Sequence, residues 1–296
     1  SAHGEDAVIR ILDKESISEQ FTELRLDILG FPDDELRRFR KYIREPYGMV
    51  LVTGPTGSGK TTTLYTALSR LNTPDVKIIT VEDPVEYQIE GINQIQAKPQ
   101  IGLDFAAALR SIVRQDPDVI MIGEMRDLET CRIAIQSALT GHLVLSTLHT
   151  NSAAGGITRL LDMGVEDYLL GSTVNGILAQ RLVRRLDPET AQPYTPSPEV
   201  IAQFELEKYA GGKPIQLWKP GTSAANPTGY HGRQAIMEFL VMSEPLRRLV
   251  MQHADEADIE HAARAEGMRT MYEDGLVKAL AGVTTLEEVL RVTQEG

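Results

Sequence analysis

The first half of the chain alternates short apolar runs with longer stretches of helical periodicity. The apolar runs do not alternate with polar residues, which is typical of strands buried on both faces of a parallel sheet. These runs lie at 49–52, 76–81, 119–122 and 143–146. The helical stretches lie at 61–71, 105–114 and 128–139. Strands that alternate with helices predict βαβ units and a doubly wound, mostly parallel α/β sheet.

Two further elements are predicted ahead of this pattern. Residues 8–12 favour an edge strand. Residues 33–44 favour a helix, because acidic residues fill the first turn and basic residues the last, which complements the helix dipole. Since the pattern starts midway, we expect the chain to be part of a longer protein.

The character of the sequence changes after residue 185. The stretches DPETAQPYTPSPE and KPGTSAANPTGYHG are rich in proline, glycine and small polar residues, which predicts a largely irregular insertion around one short helix. Helical periodicity returns from residue 244, with a last helix at 286–293. We therefore expect an N-terminal remnant and linker, an α/β core, an irregular insertion and a mainly helical C-terminal subdomain, at 1–30, 31–185, 186–230 and 231–296.

Composition and charge narrow the functional classes. The chain has 42% hydrophobic and 24% charged residues, as in an ordinary globular protein. Its net charge of −12 does not favour binding to nucleic acid or anionic lipid. The single cysteine, Cys131, agrees with a reducing compartment. No apolar run approaches the ~20 residues of a membrane span and no secretory signal opens the chain, so we expect a cytoplasmic protein.

A phosphate-binding loop follows the first strand of the predicted core. The sequence GPTGSGKT at 54–61 fits the P-loop pattern, follows a predicted strand and opens a predicted helix. Backbone N–H groups of such a loop point at one phosphate. Lys60 is predicted to reach the β- and γ-phosphates, and the Thr61 hydroxyl to hold Mg²⁺. The predicted nucleotide-binding residues are Gly54, Pro55, Thr56, Gly57, Ser58, Gly59, Lys60, Thr61 and Thr62.

Hydrolysis of a nucleotide also needs a carboxylate that orients the attacking water. The run DVIMI at 118–122 is followed by Gly123 and Glu124, so Glu124 lies at the carboxyl end of a core strand, where open α/β sheets place ligands. We assign Glu124 to water activation or to Mg²⁺ through water. An ordinary Walker B strand would end in aspartate where this chain has Gly123.

Further polar residues follow neighbouring strands. Glu82, Asp83 and Glu86 in TVEDPVE would gather carboxylates beside the metal, with a solvated acidic turn as the alternative. His142 and His149 bracket the strand at 143–146, and His149 could report the γ-phosphate by a hydrogen bond.

Four arginines surround the Glu124 strand in sequence, and an arginine that reaches a phosphate from a neighbouring subunit is a recurring device of P-loop motors. The sequence does not separate such a residue from ordinary salt-bridge partners. The four candidates are Arg110, Arg114, Arg126 and Arg132.

Several segments together resemble the ATPases of type II secretion and type IV pilus assembly. GPTGSGKTTTLY, TVEDPVE, LRSIVRQDPDVIMIGEMRD and GHLVLSTLHTN resemble the Walker A, Asp box, Walker B and His box of that family. Similarity continues through NSAAGGITRLLDMGV, LAQRLVRRL, PTGYHGR and GMRTMYEDGLVKALAGVTTLEEVLRVT, and covers nearly the whole chain.

The resemblance implies a RecA-like hexameric ATPase that holds ATP and Mg²⁺ between an N-terminal domain and the core. It implies that hydrolysis drives a pseudopilus through the inner-membrane secretion platform, on the cytoplasmic face of that membrane. It carries roles onto Lys60, Thr61, Glu82, Glu86, Glu124, His142 and His149. It also marks candidate phosphate contacts at Arg25, Arg110, Arg114 and Arg126.

Two departures from the family pattern change the expectations. Most type II secretion ATPases carry a four-cysteine zinc site, but 187–190 and 222–225 contain no cysteine here, so we expect no structural zinc. The family also has further N-terminal domains, and where relatives often read HGER this chain has HGED at 3–6. We therefore expect the present chain to be a monomer that hydrolyses ATP slowly.

Three alternatives remain at this point. A type IV pilus assembly ATPase is a close rival, whereas a retraction ATPase is disfavoured because its AIRNLI segment is absent. A RecA-like nucleic-acid translocase is disfavoured by the acidity and by the lack of an aromatic or basic strand-tracking run. A nucleotide-gated scaffold would bind ATP without hydrolysing it.

Overall fold

The computed structural model describes Leu26, residues 29–224 and residues 226–294. In this part of the chain nine strands form a seven-stranded sheet and a separate two-stranded sheet made of the seventh and eighth strands. The strands are β1 (Gly48–Thr53), β2 (Ile78–Glu82), β3 (Asn93–Gln96), β4 (Val119–Ile122), β5 (Leu143–Leu148), β6 (Val174–Leu186), β7 (Gln192–Tyr194), β8 (Leu217–Lys219) and β9 (Tyr230–Val241). The strand predicted at 8–12 lies outside the described residues.

Eleven α-helices are present among the same residues. They are α1 (Asp33–Tyr42), α2 (Lys60–Leu71), α3 (Phe105–Ile112), α4 (Leu128–Leu139), α5 (Ala153–Asp162), α6 (Asp167–Thr173), α7 (Pro198–Gln203), α8 (Glu244–Met251), α9 (Glu256–Ala265), α10 (Met271–Leu280) and α11 (Leu286–Gln294). Short 3₁₀ turns lie at Pro99–Ile101, Val113–Gln115 and Leu206–Lys208.

The large sheet has the order β3-β2-β4-β5-β1-β6-β9. All neighbouring strands are parallel except β6 and β9. The four predicted strands are β1, β2, β4 and β5, so the mostly parallel α/β fold is confirmed. Because these strands are parallel, their carboxyl ends meet at one edge of the sheet.

The central strand β1 shows why its sequence lacks alternation. Met49 and Leu51 are fully buried on one face of the sheet, in the cluster that includes Leu109 of α3. Val50 and Val52 are fully buried on the other face, in the cluster that includes α1 and α2. A strand covered by helices on both faces needs apolar residues at every position.

The edge strand β9 is covered by α10. The Asp274 carboxylate accepts a hydrogen bond from the Met237 N–H at 3.0 Å, and Lys278 donates to the Ala235 carbonyl at 2.7 Å. The two buried side chains also form an ion pair with each other. These bonds satisfy backbone groups that an uncovered edge would present to other chains.

The sequence pattern did not predict β3, β6 or β9. The segment at 186–230 contains the expected short helix α7, together with the sheet of β7 and β8. It packs on the C-terminal helices through a small cluster that includes Leu206, Leu217 and Leu276. No helix in the described part of the chain has the length and apolarity to cross a bilayer.

Candidate active site

The phosphate-binding loop joins β1 to α2. Gly54, Gly57 and Gly59 have positive φ angles of 147°, 79° and 87°, a region that glycine adopts without strain. A Cβ at Gly54 would lie 2.4 Å from the Gln180 carbonyl oxygen, so this position excludes a larger residue. α2 begins at Lys60 without a side-chain cap. Its first N–H groups are therefore free of side-chain competition for an anion.

Lys60 is folded back onto the loop. Its ammonium donates to the carbonyls of Gly54 at 2.7 Å and Pro55 at 3.0 Å. Burial lowers the pKa of Lys60, and the Glu124 carboxylate opposes this effect. A partly desolvated ammonium whose hydrogen bonds go to carbonyl oxygens can move to a phosphate, which is a stronger charged partner.

Gln180 of β6 is hydrogen-bonded to both the loop and α2. Its amide nitrogen donates to the Ser58 carbonyl at 2.7 Å, and its oxygen accepts from the Thr63 hydroxyl at 2.8 Å. Gln180 is 1% exposed. The sequence analysis missed this residue, although an isolated glutamine in the otherwise apolar run GILAQ was the available signal.

Glu124 lies just beyond the end of β4 and faces the loop. One carboxylate oxygen accepts from Arg126 Nε at 2.7 Å, and the other lies 3.2 Å from His149 Nε2. The Glu124 side chain is 19% exposed. The structure therefore brings together Glu124, Arg126, His149 and the phosphate-binding loop.

Glu82 is placed differently from Glu124. It is buried at the end of β2, where its carboxylate accepts from Thr80 at 2.6 Å and from Gln94 at 3.1 Å. It also accepts from the Tyr65 hydroxyl. Burial, and then the Glu82 charge, raise the pKa of the Tyr65 phenol. Glu86 lies nearby, with its N–H directed at the same hydroxyl at 3.3 Å.

His142 is not brought to the cleft. His142 precedes β5 and His149 follows it, so the two histidines lie at opposite ends of this strand. A six-residue strand separates its ends by roughly 20 Å. His142 Nδ1 instead lies 2.9 Å from the Ser137 carbonyl at the end of α4.

The other predicted arginines lie apart from the cleft. Arg110 pairs with Glu129, and Arg132 lies 3.4 Å from Glu166. Arg114 belongs to the 3₁₀ turn after α3. Arg25 lies outside the described residues.

A cleft of about 550 Å³ runs between the loop and the strand ends. Its walls include Glu82, Asp83 and Glu86, together with an arginine that the sequence analysis did not select, Arg233 of β9. Arg233 belongs to the PTGYHGR segment, and its position was hidden because β9 was not predicted.

A second cavity of about 360 Å³ adjoins the loop and shares Ser58, Leu182 and Arg233 with the cleft. Arg181 also lines it. The buried Ser58 hydroxyl and Arg181 Nε have no hydrogen-bond partner in the described part of the chain.

The residues of the cleft fit a magnesium nucleotide. Mg²⁺ is usually held by one or two protein oxygens together with phosphate oxygens and water. Thr61 and Glu124 offer such oxygens beside the loop. Together, the uncapped helix, the lysine and the strand-end carboxylate define a P-loop nucleotide-binding protein.

Comparison with known proteins assigns the family. Residues 1–291 match the family described as Type II/IV secretion system protein, and the chain belongs to it. Type II secretion system protein E of Xanthomonas campestris pv. campestris is 70% identical over 100% of this chain and 51% of that protein. The type IV pilus assembly ATPase PilB of Thermus thermophilus is 48% identical over 100% of this chain and 33% of that protein. The chain thus spans about half or less of these curated relatives.

Solved structures support the fold. The crystal structure of the pilus retraction motor PilT with bound ADP has a TM-score of 0.67 and 30% identity, over 91% of this chain and 66% of that chain. The Legionella pneumophila ATPase DotB has a TM-score of 0.65 at 24% identity, over 92% of this chain and 66% of that chain. These neighbours have a RecA-like P-loop core, in agreement with the predicted fold class.

Proposed function

We propose that this chain is the motor part of a type II secretion ATPase, which binds ATP with Mg²⁺ and hydrolyses it to ADP and phosphate. The observation that carries the proposal is the position of Glu124, held by Arg126 and His149 and facing the phosphate-binding loop. A carboxylate at that position can accept a proton from a water molecule that attacks the γ-phosphate.

The roles of the loop follow from its contacts. Backbone N–H groups of the loop at 54–62, other than at Pro55, which has none, would cradle the phosphates, and Lys60 would leave the Gly54 and Pro55 carbonyls to bind the β- and γ-phosphates. Thr61 would hold Mg²⁺, and Glu124 would contact it through water. Bound there, Mg²⁺ supplies positive charge against the phosphate oxygens.

Around the phosphates, we propose that Glu82 and Glu86 hold the acidic wall of the cleft, and that His149 and Arg126 contact the γ-phosphate. Arg110 and Arg114 lie away from this chain's own cleft. We propose that they and Arg25 act on the nucleotide of a neighbouring subunit. His142 lies outside the cleft, and we propose no contact between it and the nucleotide. Its assignment to the His box remains a prediction.

The wider context extends beyond this chain. We propose that the whole protein is a homohexamer on the cytoplasmic face of the inner membrane, where it acts with the secretion platform and drives pseudopilus assembly. We propose the same domain division as above, at 1–30, 31–185, 186–230 and 231–296. A type IV pilus assembly ATPase is the second candidate, because the Thermus thermophilus relative is 48% identical.

Phosphate release by the purified chain tests this proposal. Glu124→Gln should retain ATP within about threefold in affinity but lose turnover by about 100-fold or more, because the amide cannot accept the proton. Glu189→Gln, an exposed carboxylate of the insertion, is the matched control and should hydrolyse normally. Unchanged hydrolysis by Glu124→Gln would remove this residue from its role.

A further inference from the structure

Residues 149–153 connect β5 to α5 and form a short segment that we call the strand-end segment. Each of its five residues bonds to a different element of the molecule. The partners are Glu124 for His149, Thr53 for Thr150, Arg181 for Asn151, Glu256 for Ser152 and Glu238 for Ala153.

The first two contacts belong to the nucleotide cleft. His149 Nε2 lies 3.2 Å from the Glu124 carboxylate. The Thr150 N–H donates to the Thr53 hydroxyl at 2.9 Å, at the last residue of β1 before the phosphate-binding loop. A ligand that moves Glu124 or the loop therefore acts directly on the strand-end segment.

The third contact leads to the last helix. The Asn151 side-chain oxygen accepts from Arg181 Nη2 at 3.1 Å. The other terminal nitrogen of Arg181 donates to the Val292 carbonyl in α11. Arg181 is only 8% exposed, so a buried side chain connects the strand-end segment to α11 through hydrogen bonds.

The last two contacts lead to α9 and α10. Ser152 caps α5 and also bonds to Glu256, the first residue of α9. The buried Glu238 carboxylate accepts from the Ala153 N–H at 2.7 Å and from the Met271 N–H at 3.0 Å. One carboxylate thus accepts hydrogen bonds from the first N–H groups of both α5 and α10. Its negative charge also stabilises the positive N-terminal ends of the two helix dipoles.

We propose that the strand-end segment couples the nucleotide cleft to the C-terminal helices α9, α10 and α11, with Asn151 and Glu238 as positioning residues. Five consecutive residues with five separate anchors cannot shift without moving or breaking those anchors. A chain of hydrogen bonds of this kind can carry coupling between distant sites when a ligand changes one end of it. This proposal rests on nucleotide binding at the cleft, as set out under the proposed function.

Amide hydrogen exchange with a non-hydrolysable ATP analogue and Mg²⁺ tests the coupling. In the unmodified chain, the analogue should slow exchange in the loop at 54–62, and also at the start of α10 and the end of α11. We expect exchange at these two helices to slow by about fivefold, which corresponds to the net free energy of one hydrogen bond.

Two variants act as controls for each other. Asn151→Ala removes an exposed side chain and should abolish the response in α11 while that in α10 persists. Glu238→Gln should abolish the response in α10 while that in α11 persists. Arg184→Met loses a different contact between β6 and α11, with Glu288, and should keep both responses.

Protection of the loop shows that the analogue is bound, so the outcomes are separable. A protected loop without any remote slowing in the unmodified chain overturns the coupling. Variants that respond at both helices as the unmodified chain does also overturn it. Absence of loop protection instead contradicts the proposed function, and the coupling proposal then fails with it.

Discussion

Glu82 and Glu124 lie at the carboxyl ends of neighbouring strands, β2 and β4, but have different surroundings. Glu82 is buried, with hydrogen bonds from Tyr65, Thr80 and Gln94. Glu124 is bonded to two cationic or ionisable side chains and reaches the open cleft. A carboxylate whose oxygens are occupied by buried donors is suited to holding structure, whereas Glu124 can exchange partners during a reaction.

Tyr65→Phe tests the structural part of the Glu82 environment. The change removes the hydroxyl that donates to Glu82 and accepts from the Glu86 N–H. Because buried polar groups then lose their partner, the free energy of unfolding should fall by about 1–3 kcal/mol, as measured by urea denaturation. Tyr47→Phe, at a side chain that is 59% exposed, should change stability by less than about 0.5 kcal/mol. Equal stabilities of the two variants would contradict this account.

The sequence pointed to those residues of the candidate site whose position is encoded locally. The loop at 54–62 and Glu124 could be found because each follows a buried strand and belongs to a short motif. Gln180 and Arg233 could not be found in this way, since they reach the site from β6 and β9, far away in sequence. His142 was grouped with His149 by resemblance, but the direction of β5 separates them.

At the scale of elements, the apolar runs predicted the strands that helices cover on both faces. β6 and β9 lack such uninterrupted runs because they also carry polar or exposed residues. β6 includes Gln180 and Arg181, and the first positions of β9 are exposed or half-buried. β3 has no buried residue at all, so hydrophobic pattern gave no signal for it.

The contact between β6 and α11 predicts a specific sensitivity to acid. Burial opposes the charge of Glu288, but hydrogen bonds from Arg291 and Arg184 outweigh it and lower the pKa of Glu288 to about 2. A carboxyl with a lowered pKa stabilises the fold fully above its ordinary pKa of about 4.5, and this contribution is lost as the pH falls toward 2.

Glu288→Gln should therefore be less stable than the unmodified chain at neutral pH. The difference should shrink by roughly 2 kcal/mol between pH 5 and pH 2. Denaturant unfolding at a series of pH values measures both quantities. Glu189→Gln, whose carboxyl is exposed in the insertion, serves as the control. A difference that stays constant with pH would show that Glu288 does not have a lowered pKa.

At the scale of the whole molecule, charge separates a secretion motor from a nucleic-acid translocase. The net charge is −12, and a protein that tracks a phosphate backbone needs a positively charged groove. Single-stranded DNA should therefore leave ATP turnover unchanged within about twofold at low salt. Stimulation by DNA that disappears at high salt would favour the translocase instead.

The central claim is that the cleft beside Lys60 and Glu124 binds a magnesium nucleotide. Calorimetric titration of ATP into the purified chain, with Mg²⁺ and again with EDTA, tests it most directly. We predict one site per chain, with affinity that falls by at least about tenfold without Mg²⁺ and by about 100-fold in Lys60→Ala. Lys213→Ala, an exposed lysine of the insertion, should bind normally. An ATP affinity that is the same with EDTA and in Lys60→Ala, or no binding at all, would contradict the account.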